Sequence, residues 1–246
     1  MSTGIIFIAY GKKYVEEAIF SAKSAKKHNP QYPITLFTDA SVSDPVFNKV
    51  KIIEKDKIHI RCKVDIIYQS PYEKTLFLDT DTMVNYPFQE MFTILDKFDI
   101  SLAHDFARKR TLKDKSKAPG GYGFATHPDY QNIPYAFPEY NTGVILFQKN
   151  KKTQKFFQNW AKTYHKMEKL TPYDQPSFRI TLWNSDLRVH TLPLEYNRRA
   201  KDTREKNIKY KKMGIFTEEH LKTRIFHFHG LNKMKAKEIE EKAQII

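Results

Sequence analysis

The pattern of apolar and polar positions predicts alternating strands and helices in the first hundred residues. The run GIIFIAY at 4–10 is unbroken and β-branched, which is typical of a strand buried on both faces. Similar short apolar runs follow at 33–39, 50–54, 75–79 and 100–105, and helical spacing is seen from Tyr14 to HNP at 28–30, at 63–69 and at 88–98. This alternation predicts an α/β fold with a mostly parallel central sheet flanked by helices. Ligands of such sheets bind outside the carboxyl ends of the strands.

The second half of the chain is less regular. Residues 106–140 contain basic clusters, glycines, prolines and tyrosines without a sustained period, which predicts a long functional loop. Order is predicted to return at NTGVILFQ, 141–148, followed by helices at 151–168 and 174–183. An apolar run follows at 189–194, and a strand is predicted at 224–230. A length of 246 residues fits one α/β domain spanning 1–246, and nothing demands a second.

Composition narrows the class of protein without choosing a function. The chain is 40% hydrophobic and 14% aromatic, which excludes wholesale disorder. Its formal charge of +14 predicts attraction to phosphates and peripheral contact with anionic surfaces. Cys62 is the only cysteine, so the chain has no internal disulfide and no thiolate metal cluster. With no leader pattern and no apolar run of about 18 residues, we expect a cytoplasmic protein.

The stretch TLFLDTDTMV at 75–84 carries the first chemical signal. In an extended chain Asp79 and Asp81 would point the same way, with Cα atoms about 7 Å apart. Two like charges at the end of an apolar strand need a cation, and Mg²⁺ or Mn²⁺ prefers such oxygen ligands. The alternative is a polar turn that merely ends the strand.

Two other chemistries fit the sequence less well. A haloacid-dehalogenase-type phosphatase expects threonine or valine where Met83 stands. A Rossmann dehydrogenase expects a glycine-rich turn after its first strand, where this chain has AYGKKY at 9–14. A metal held by Asp79 and Asp81, helped by lysines, could instead neutralise a diphosphate, which points to a nucleotide-sugar transferase.

Several weak motifs follow in one order: DTD at 79–81, NTGVILF at 141–147, PYDQPSFRITLW at 172–183, LPLEYN at 192–197 and IFHFHGLNK at 225–233. Together they resemble the metal-dependent glycosyltransferases of the GT-A fold, especially family 8, which includes glycogenin and bacterial lipopolysaccharide galactosyltransferases. The resemblance runs from residue 4 to about 235. It implies a Rossmann-like nucleotide-diphospho-sugar transferase fold, with a nucleotide-binding half at about 1–105, an acceptor and catalytic half at about 106–235, and a tail at 236–246.

The resemblance implies a Mn²⁺ or Mg²⁺ site formed by Asp79, Asp81 and His227. In the family, the first aspartate contacts ribose and metal, and the second chelates the metal. His229 lies on the same side of its predicted strand as His227. Only His227 is followed three residues later by a glycine, Gly230, as in the family pattern.

The donor, expected to be a UDP-sugar, is implied to contact Ala9, Tyr10, Tyr14, Lys63, Asp79, Gly230 and Lys233. Ala9, Tyr10 and Tyr14 resemble the family's uridine pocket, although Tyr14 could equally be a core tyrosine. Lys63 stands sixteen residues before Asp79, as in the family, and its alternative is a solvated helix lysine.

The catalytic set implied by the resemblance is Asn141, Asp174, Gln175 and Lys233. Asn141 would face the donor sugar, and Asp174 and Gln175 would lie near the reacting carbon, although Asp174 could also be a helix N-cap. Lys233 would neutralise charge on the leaving phosphate. Tyr196 and Asn197 are expected to shape the site. The family's Lys-Pro-Trp is Lys-Met-Lys here, so Met234 and Lys235 replace an expected aromatic wall.

We therefore expect metal-dependent transfer of a hexose-type sugar from a nucleotide diphosphate to a glycan or other hydroxyl-bearing acceptor, with retention of anomeric configuration. Two alternatives stay open. A basic nucleic-acid-binding protein could use the clusters at 108–110 and 198–212, but this leaves the aspartates unexplained, so we do not expect nucleic acid as a partner. A catalytically inactive transferase fold could serve as a binding module.

Overall fold

The computed structural model describes residues 2–105, 127–199 and 223–228. Its strands are β1 (Thr3–Ile8), β2 (Ile34–Thr38), β3 (Lys49–Ile52), β4 (Lys74–Leu78), β5 (Thr82–Val84), β6 (Ile100–His104), β7 (Tyr140–Gln148), β8 (Val189–Leu192), β9 (Arg198–Arg199) and β10 (Ile225–His227). Its helices are α1 (Gly11–His28), α2 (Lys63–Ile66), α3 (Met91–Ile94), α4 (Pro128–Gln131), α5 (Lys151–Met167) and α6 (Gln175–Trp183). Short 3₁₀ turns lie at Lys55–Lys57, Ile67–Gln69 and Leu194–Tyr196.

The central sheet has seven strands in the order β3-β2-β1-β4-β7-β6-β8. The mostly parallel sheet predicted from the sequence is confirmed, because β3, β2, β1 and β4 run parallel and β6 pairs in parallel with β8. β7 is the exception, since it lies antiparallel between β4 and β6. This insertion places the start of NTGVILF beside the end of β4, with Val144 opposite Leu78.

Helices cover both faces of the sheet because the central strands are apolar on both sides. On one face, Ile5 and Phe7 pack in a core with Ala18 and Ala22 of α1. On the other face, Ile6 joins a core that contains Trp160 of α5 and Phe178 of α6. The Trp160 indole is fully buried and donates to Ser177 Oγ at 3.1 Å, so its polar group is satisfied.

A second, three-stranded sheet has the order β5-β10-β9. The sequence pattern did not predict β5 or β9. β10 pairs antiparallel with β5, which places His227 opposite Thr82. This small sheet therefore carries His227 to the segment that follows β4.

Three predicted elements differ from the structure. The helix predicted at 63–69 ends at Ile66 and continues as a 3₁₀ turn. The helix predicted at 88–98 is reduced to α3, because the amides of Asp96 and Lys97 donate to carbonyls only three residues back and the segment tightens into turns. The predicted loop at 106–140 contains α4 and ends where β7 begins at Tyr140, while 106–126 lies outside the described residues. No helix in the described part of the chain is long and apolar enough to span a bilayer.

Asp99, directly before β6, joins this strand to the residues that precede β8 and α5. Its buried carboxylate accepts from the Arg188 amide at 2.9 Å and from Asn150 Nδ2 at 3.2 Å. Burial would raise the pKa of Asp99, but its hydrogen bonds with Arg188 hold that pKa below the ordinary value. We expect Asp99→Asn to lower the free energy of unfolding by about 1–3 kcal/mol at pH 7, measured by urea denaturation.

The pH dependence of the unfolding free energy separates the effect of the Asp99 charge from the effect of the side-chain shape. A depressed carboxyl pKa contributes stability above the unfolded value of about 3.9, and that contribution is lost as pH falls through the folded value. The difference between wild type and Asp99→Asn should therefore narrow below about pH 4. The exposed control Asp129→Asn should change stability by less than about 0.5 kcal/mol. A difference that is independent of pH would contradict the electrostatic account.

Candidate functional site

The two aspartates lie in a tight turn between β4 and β5. The Thr82 amide and hydroxyl both donate to the Asp79 carbonyl, at 3.2 Å and 2.9 Å. The expectation of an extended chain through Asp79 and Asp81 was therefore wrong, because this turn bends the backbone after Leu78. Both carboxylates nevertheless converge on one side chain, that of His227.

The His227 imidazole lies beside both carboxylates. Its Nε2 atom is 3.1 Å from Asp81 Oδ1 and 3.7 Å from Asp79 Oδ2, and ligand atoms of all three residues lie within 4.8 Å of one another. Nδ1 donates to Asn197 Oδ1 at 3.0 Å, which turns Nε2 towards the carboxylates. Two carboxylates and an oriented imidazole fit a divalent metal such as Mn²⁺. His229 lies outside the described residues.

Electrostatics link these three side chains. Burial would lower the pKa of His227, but the carboxylates of Asp81 and Asp79 raise it above the ordinary value. Burial raises the pKa of Asp79 against the opposing effect of Lys63 and His227. The cluster is therefore an environment in which added positive charge is favourable.

Gly143 makes the close approach of His227 possible. A Cβ atom at this position would lie 2.1 Å from His227 Cε1 and 2.9 Å from Asp79 Oδ2, too close for any real side chain. The Gly143 carbonyl also accepts from the Asp79 amide at 2.8 Å, which fixes β7 against the turn. A glycine is required here because backbone, imidazole and carboxylate meet at one point.

Asn141 contacts the metal-site candidates through Asn197. Asn197 Nδ2 donates to Asn141 Oδ1 at 2.9 Å, and the Gly143 amide donates to the same oxygen at 2.9 Å. Asn197 in turn accepts from His227. In the described structure, Asn141 therefore supports the orientation of the imidazole.

Lys63 is a buried cation that joins the first aspartate to Asp174. Its Nζ lies 3.1 Å from Asp79 Oδ1, 3.2 Å from Asp174 Oδ2 and 3.1 Å from the Thr142 carbonyl. The alternative of a solvated helix lysine is thus wrong, because Lys63 is only 7% exposed. Its position on α2 brings the first and second halves of the chain together.

The Asp174 carboxylate does not cap α6, although the residue stands at the N-cap position. It accepts from Thr142 Oγ1 at 2.7 Å and faces Arg61 Nε at 3.7 Å in addition to Lys63. Burial would raise the pKa of Asp174, but Lys63 and Arg61 hold it below the ordinary value. Asp174 is therefore a charged, paired carboxylate.

A cavity of about 320 Å³ opens beside the aspartates. Its lining includes six of the predicted site residues, which are Ala9, Tyr10, Tyr14, Lys63, Asp79 and Asp81. The rings of Tyr10 and Tyr14 lie 5.5 Å apart at the cavity wall. Tyr14 also packs against the core, so both interpretations of this residue apply.

Among the other predicted residues that the structure describes, Gln175 and Tyr196 do not line this cavity. Gln175 follows Asp174 directly, but its amide donates to Asp105 Oδ2 at 2.8 Å. Tyr196 donates to Glu90 and packs beside the core. Gly230, Lys233, Met234 and Lys235 lie outside the described residues.

A protein-family model described as nucleotide-diphospho-sugar transferase matches residues 74–238, which contain both aspartates and His227. The chain belongs to this family. None of the curated proteins compared with this transferase matches it.

Solved structures show which fold the transferase shares. An active-site mutant of LgtC is 14% identical, with a TM-score of 0.62 over 98% of this chain and 94% of that one. The galactosyltransferase LgtC in complex with donor and acceptor sugar analogues is 15% identical, with a TM-score of 0.59 over 98% and 95% of the two chains. The glycosyltransferase GlyE of Streptococcus pneumoniae is 16% identical, with a TM-score of 0.62 over 98% of this chain and 61% of that one. The GT-A fold expected from the sequence is confirmed.

Three side chains of the transferase site were not foreseen from the sequence. Arg61 and Glu17 line the cavity, and Thr142 bridges Lys63 and Asp174. Glu17 accepts from Thr80 Oγ1 at 3.0 Å, which links α1 to the residue between the two aspartates. Arg61 stands two positions before Lys63, but in a chain this basic one more arginine carries no signal.

Proposed function

We propose that this transferase moves a hexose-type sugar from a UDP-sugar to a hydroxyl group of a glycan or other acceptor, in a reaction that requires Mn²⁺ or Mg²⁺. The observation that carries the proposal is the convergence of Asp79, Asp81 and His227 beside a cavity that also contains Lys63. Family membership supports the general activity and the geometry supports the metal requirement.

Asp79, Asp81 and His227 would hold the metal. When bound, the metal would neutralise charge on the diphosphate and so stabilise its departure. The Asn197 side-chain oxygen holds a proton on Nδ1, so the metal would take the place of the Nε2 proton that faces Asp81. Gly143 keeps the imidazole and the Asp79 carboxylate within reach of one ion.

The cavity wall offers a place for the nucleotide. Tyr10 and Tyr14 present aromatic rings suited to a uracil base, and Ala9 leaves room for close approach. Lys63 and Arg61 add positive charge to the cavity lining. Lys233 lies outside the described residues. By its resemblance to the family pattern, we propose that it neutralises charge on the leaving phosphate.

The catalytic roles of Asn141, Asp174 and Gln175 are proposals as well. Asn141 supports the His227 imidazole through Asn197, and Gln175 directly follows Asp174. The acceptor is proposed to be selected by the segment at 106–140, whose residues 106–126 lie outside the described structure.

The direct test is release of UDP from a panel of UDP-sugars, with and without Mn²⁺. We expect release to require both metal and one preferred donor, and the same donor should raise the melting temperature most strongly in the presence of Mn²⁺. Binding without release would favour an inactive transferase-fold module. Oligonucleotide binding that falls steeply with salt, without UDP-sugar binding, would favour the nucleic-acid alternative.

Retention of anomeric configuration is the second part of the proposal. An inverting transferase needs a carboxylate base beside the acceptor hydroxyl. Asp174 is a poor base, because Lys63, Arg61 and Thr142 all stabilise its charged form and its pKa lies below the ordinary value. The departing phosphate could instead accept the acceptor's proton, while the protein positions groups and stabilises charge.

Proton NMR of the first-formed product measures the stereochemistry. From an α-linked donor we expect an α-glycoside, recognised by a small anomeric coupling. A β-glycoside as the initial product would contradict retention but leave the metal-dependent transferase intact.

A further inference from the structure

A second group of metal-ligating side chains joins the segment before α2 to the end of α5. His59 Nε2 lies 2.6 Å from Asp65 Oδ2, and His165 Nε2 lies 2.9 Å from Asp65 Oδ1. Ligand atoms of the three residues all lie within 4.8 Å of one another. None of these residues lines the donor cavity.

Glu168 completes the arrangement from outside. Its Oε2 atom lies 3.2 Å from His165 Nδ1, so this carboxylate accepts the Nδ1 proton and turns Nε2 towards Asp65. Histidines bound to a metal commonly donate their other ring proton to a carboxylate in this way. The contact between Glu168 and His165 therefore supports a metal site independently of the distances among the three ligand atoms.

The charges of the cluster call for a cation. Asp65 and Glu168 carry two negative charges, and both nitrogens of His165 donate to them, at 2.9 Å and 3.2 Å. A divalent ion would take the place of the His165 Nε2 proton and balance the two carboxylates. Two imidazoles and one carboxylate suit zinc better than magnesium or manganese, which prefer oxygen ligands. We propose that His59, Asp65 and His165 bind Zn²⁺, with the fourth coordination position open to water.

Zinc binding has a defined proton balance at His59. The Arg61 amide donates to His59 Nδ1 at 3.3 Å, so without metal the His59 proton lies on Nε2 and points at Asp65. Binding moves that proton to Nδ1 and breaks the contact with the Arg61 amide, which is the longest hydrogen bond in the cluster. The number of protons on His59 does not change, and His165 releases its Nε2 proton to solvent.

The site would fix the donor-binding cations in place. Arg61 and Lys63 lie between His59 and Asp65 in the chain, and both line the cavity. Zinc would anchor this segment to α5 through His165. This consequence rests on the proposed function, whereas the zinc site itself does not.

Zinc content and affinity of the full chain test the proposal. The measurement uses an Asp81→Asn background, which weakens the metal candidate at the donor site, followed by dialysis and isothermal titration with Zn²⁺ alone. We expect one zinc per chain, and we expect Co²⁺ to give the intense visible absorption of a tetrahedral site. His165→Ala should weaken binding at least a hundredfold, and Glu168→Gln about ten- to a hundredfold.

Controls separate zinc binding from misfolding and from adventitious histidine binding. In Asp65→Asn the new side chain has nearly the same shape as aspartate, so this variant should lose zinc while keeping the wild-type circular dichroism spectrum. His190→Ala removes a partly buried histidine whose Nδ1 bonds Ser101, and it should keep zinc. Absence of zinc in the Asp81→Asn protein, or equal binding by His165→Ala, would overturn the proposal and leave a hydrogen-bonded cluster. Failure of UDP release would not affect this outcome.

Discussion

Asp81→Asn should reduce metal-dependent turnover by at least about a hundredfold while the fold stays intact. The carboxylate faces His227 Nε2 at 3.1 Å, so its replacement removes an anionic ligand but keeps the side-chain shape. Several kcal/mol of charge stabilisation by a metal corresponds to two or more powers of ten in rate, at about 1.36 kcal/mol for each tenfold. The measurement is UDP release as a function of Mn²⁺ concentration.

Stability should change little in this variant. Loss of the charge weakens the interaction with His227 but relieves repulsion with Asp79, so the two effects oppose each other. The Asp81 backbone carbonyl still accepts from the Phe228 amide at 2.8 Å. The matched control Asp96→Asn changes an exposed aspartate that pairs with Lys74, and it should keep wild-type turnover. Full activity in Asp81→Asn would discard the metal role of this residue.

Lys63→Met is expected to cost about 3–5 kcal/mol of folding stability at pH 8, because it leaves the buried Asp174 and the partly buried Asp79 without their shared cation. Burial would lower the pKa of Lys63, but Asp174 and Asp79 raise it above the ordinary value, so the ammonium is charged in the folded protein. Methionine preserves the apolar length of the side chain and removes the charge. Guanidinium denaturation gives the free energy of unfolding, and donor binding should fall in parallel.

The folding stability lost in Lys63→Met should be smaller at pH 5 than at pH 8. Burial already raises the pKa of Asp79 above its ordinary value, and loss of Lys63 removes the largest effect that opposes it. A carboxyl whose folded pKa exceeds its unfolded value binds more protons in the folded state, so stability rises as pH falls. The control Lys12→Met changes a lysine whose side chain is 91% exposed, and its effect should stay within about 0.5 kcal/mol. An equal deficit at both pH values would indicate lost packing alone.

Elements with a strong local pattern were predicted well from the sequence. The apolar run at 4–10 became β1, the NTGVILFQ run became part of β7, and the amphipathic segment at 151–168 became α5. The 88–98 segment has buried Phe88, Met91, Phe92 and Leu95 at helical spacing, yet only α3 forms there. Apolar spacing reports which side chains are buried, but it does not determine whether the backbone bonds close over four residues or three.

The sequence by itself determined the chemical types at the site and the order of the elements, because strand and helix patterns and the pair of aspartates depend on neighbouring residues. Only the tertiary structure decided which distant groups meet. β7 enters antiparallel between β4 and β6 and puts Gly143 against His227, and Lys63 pairs with an aspartate on the far half of the chain. Such contacts follow from sheet order and from the pairing of buried charges, which no local spacing encodes.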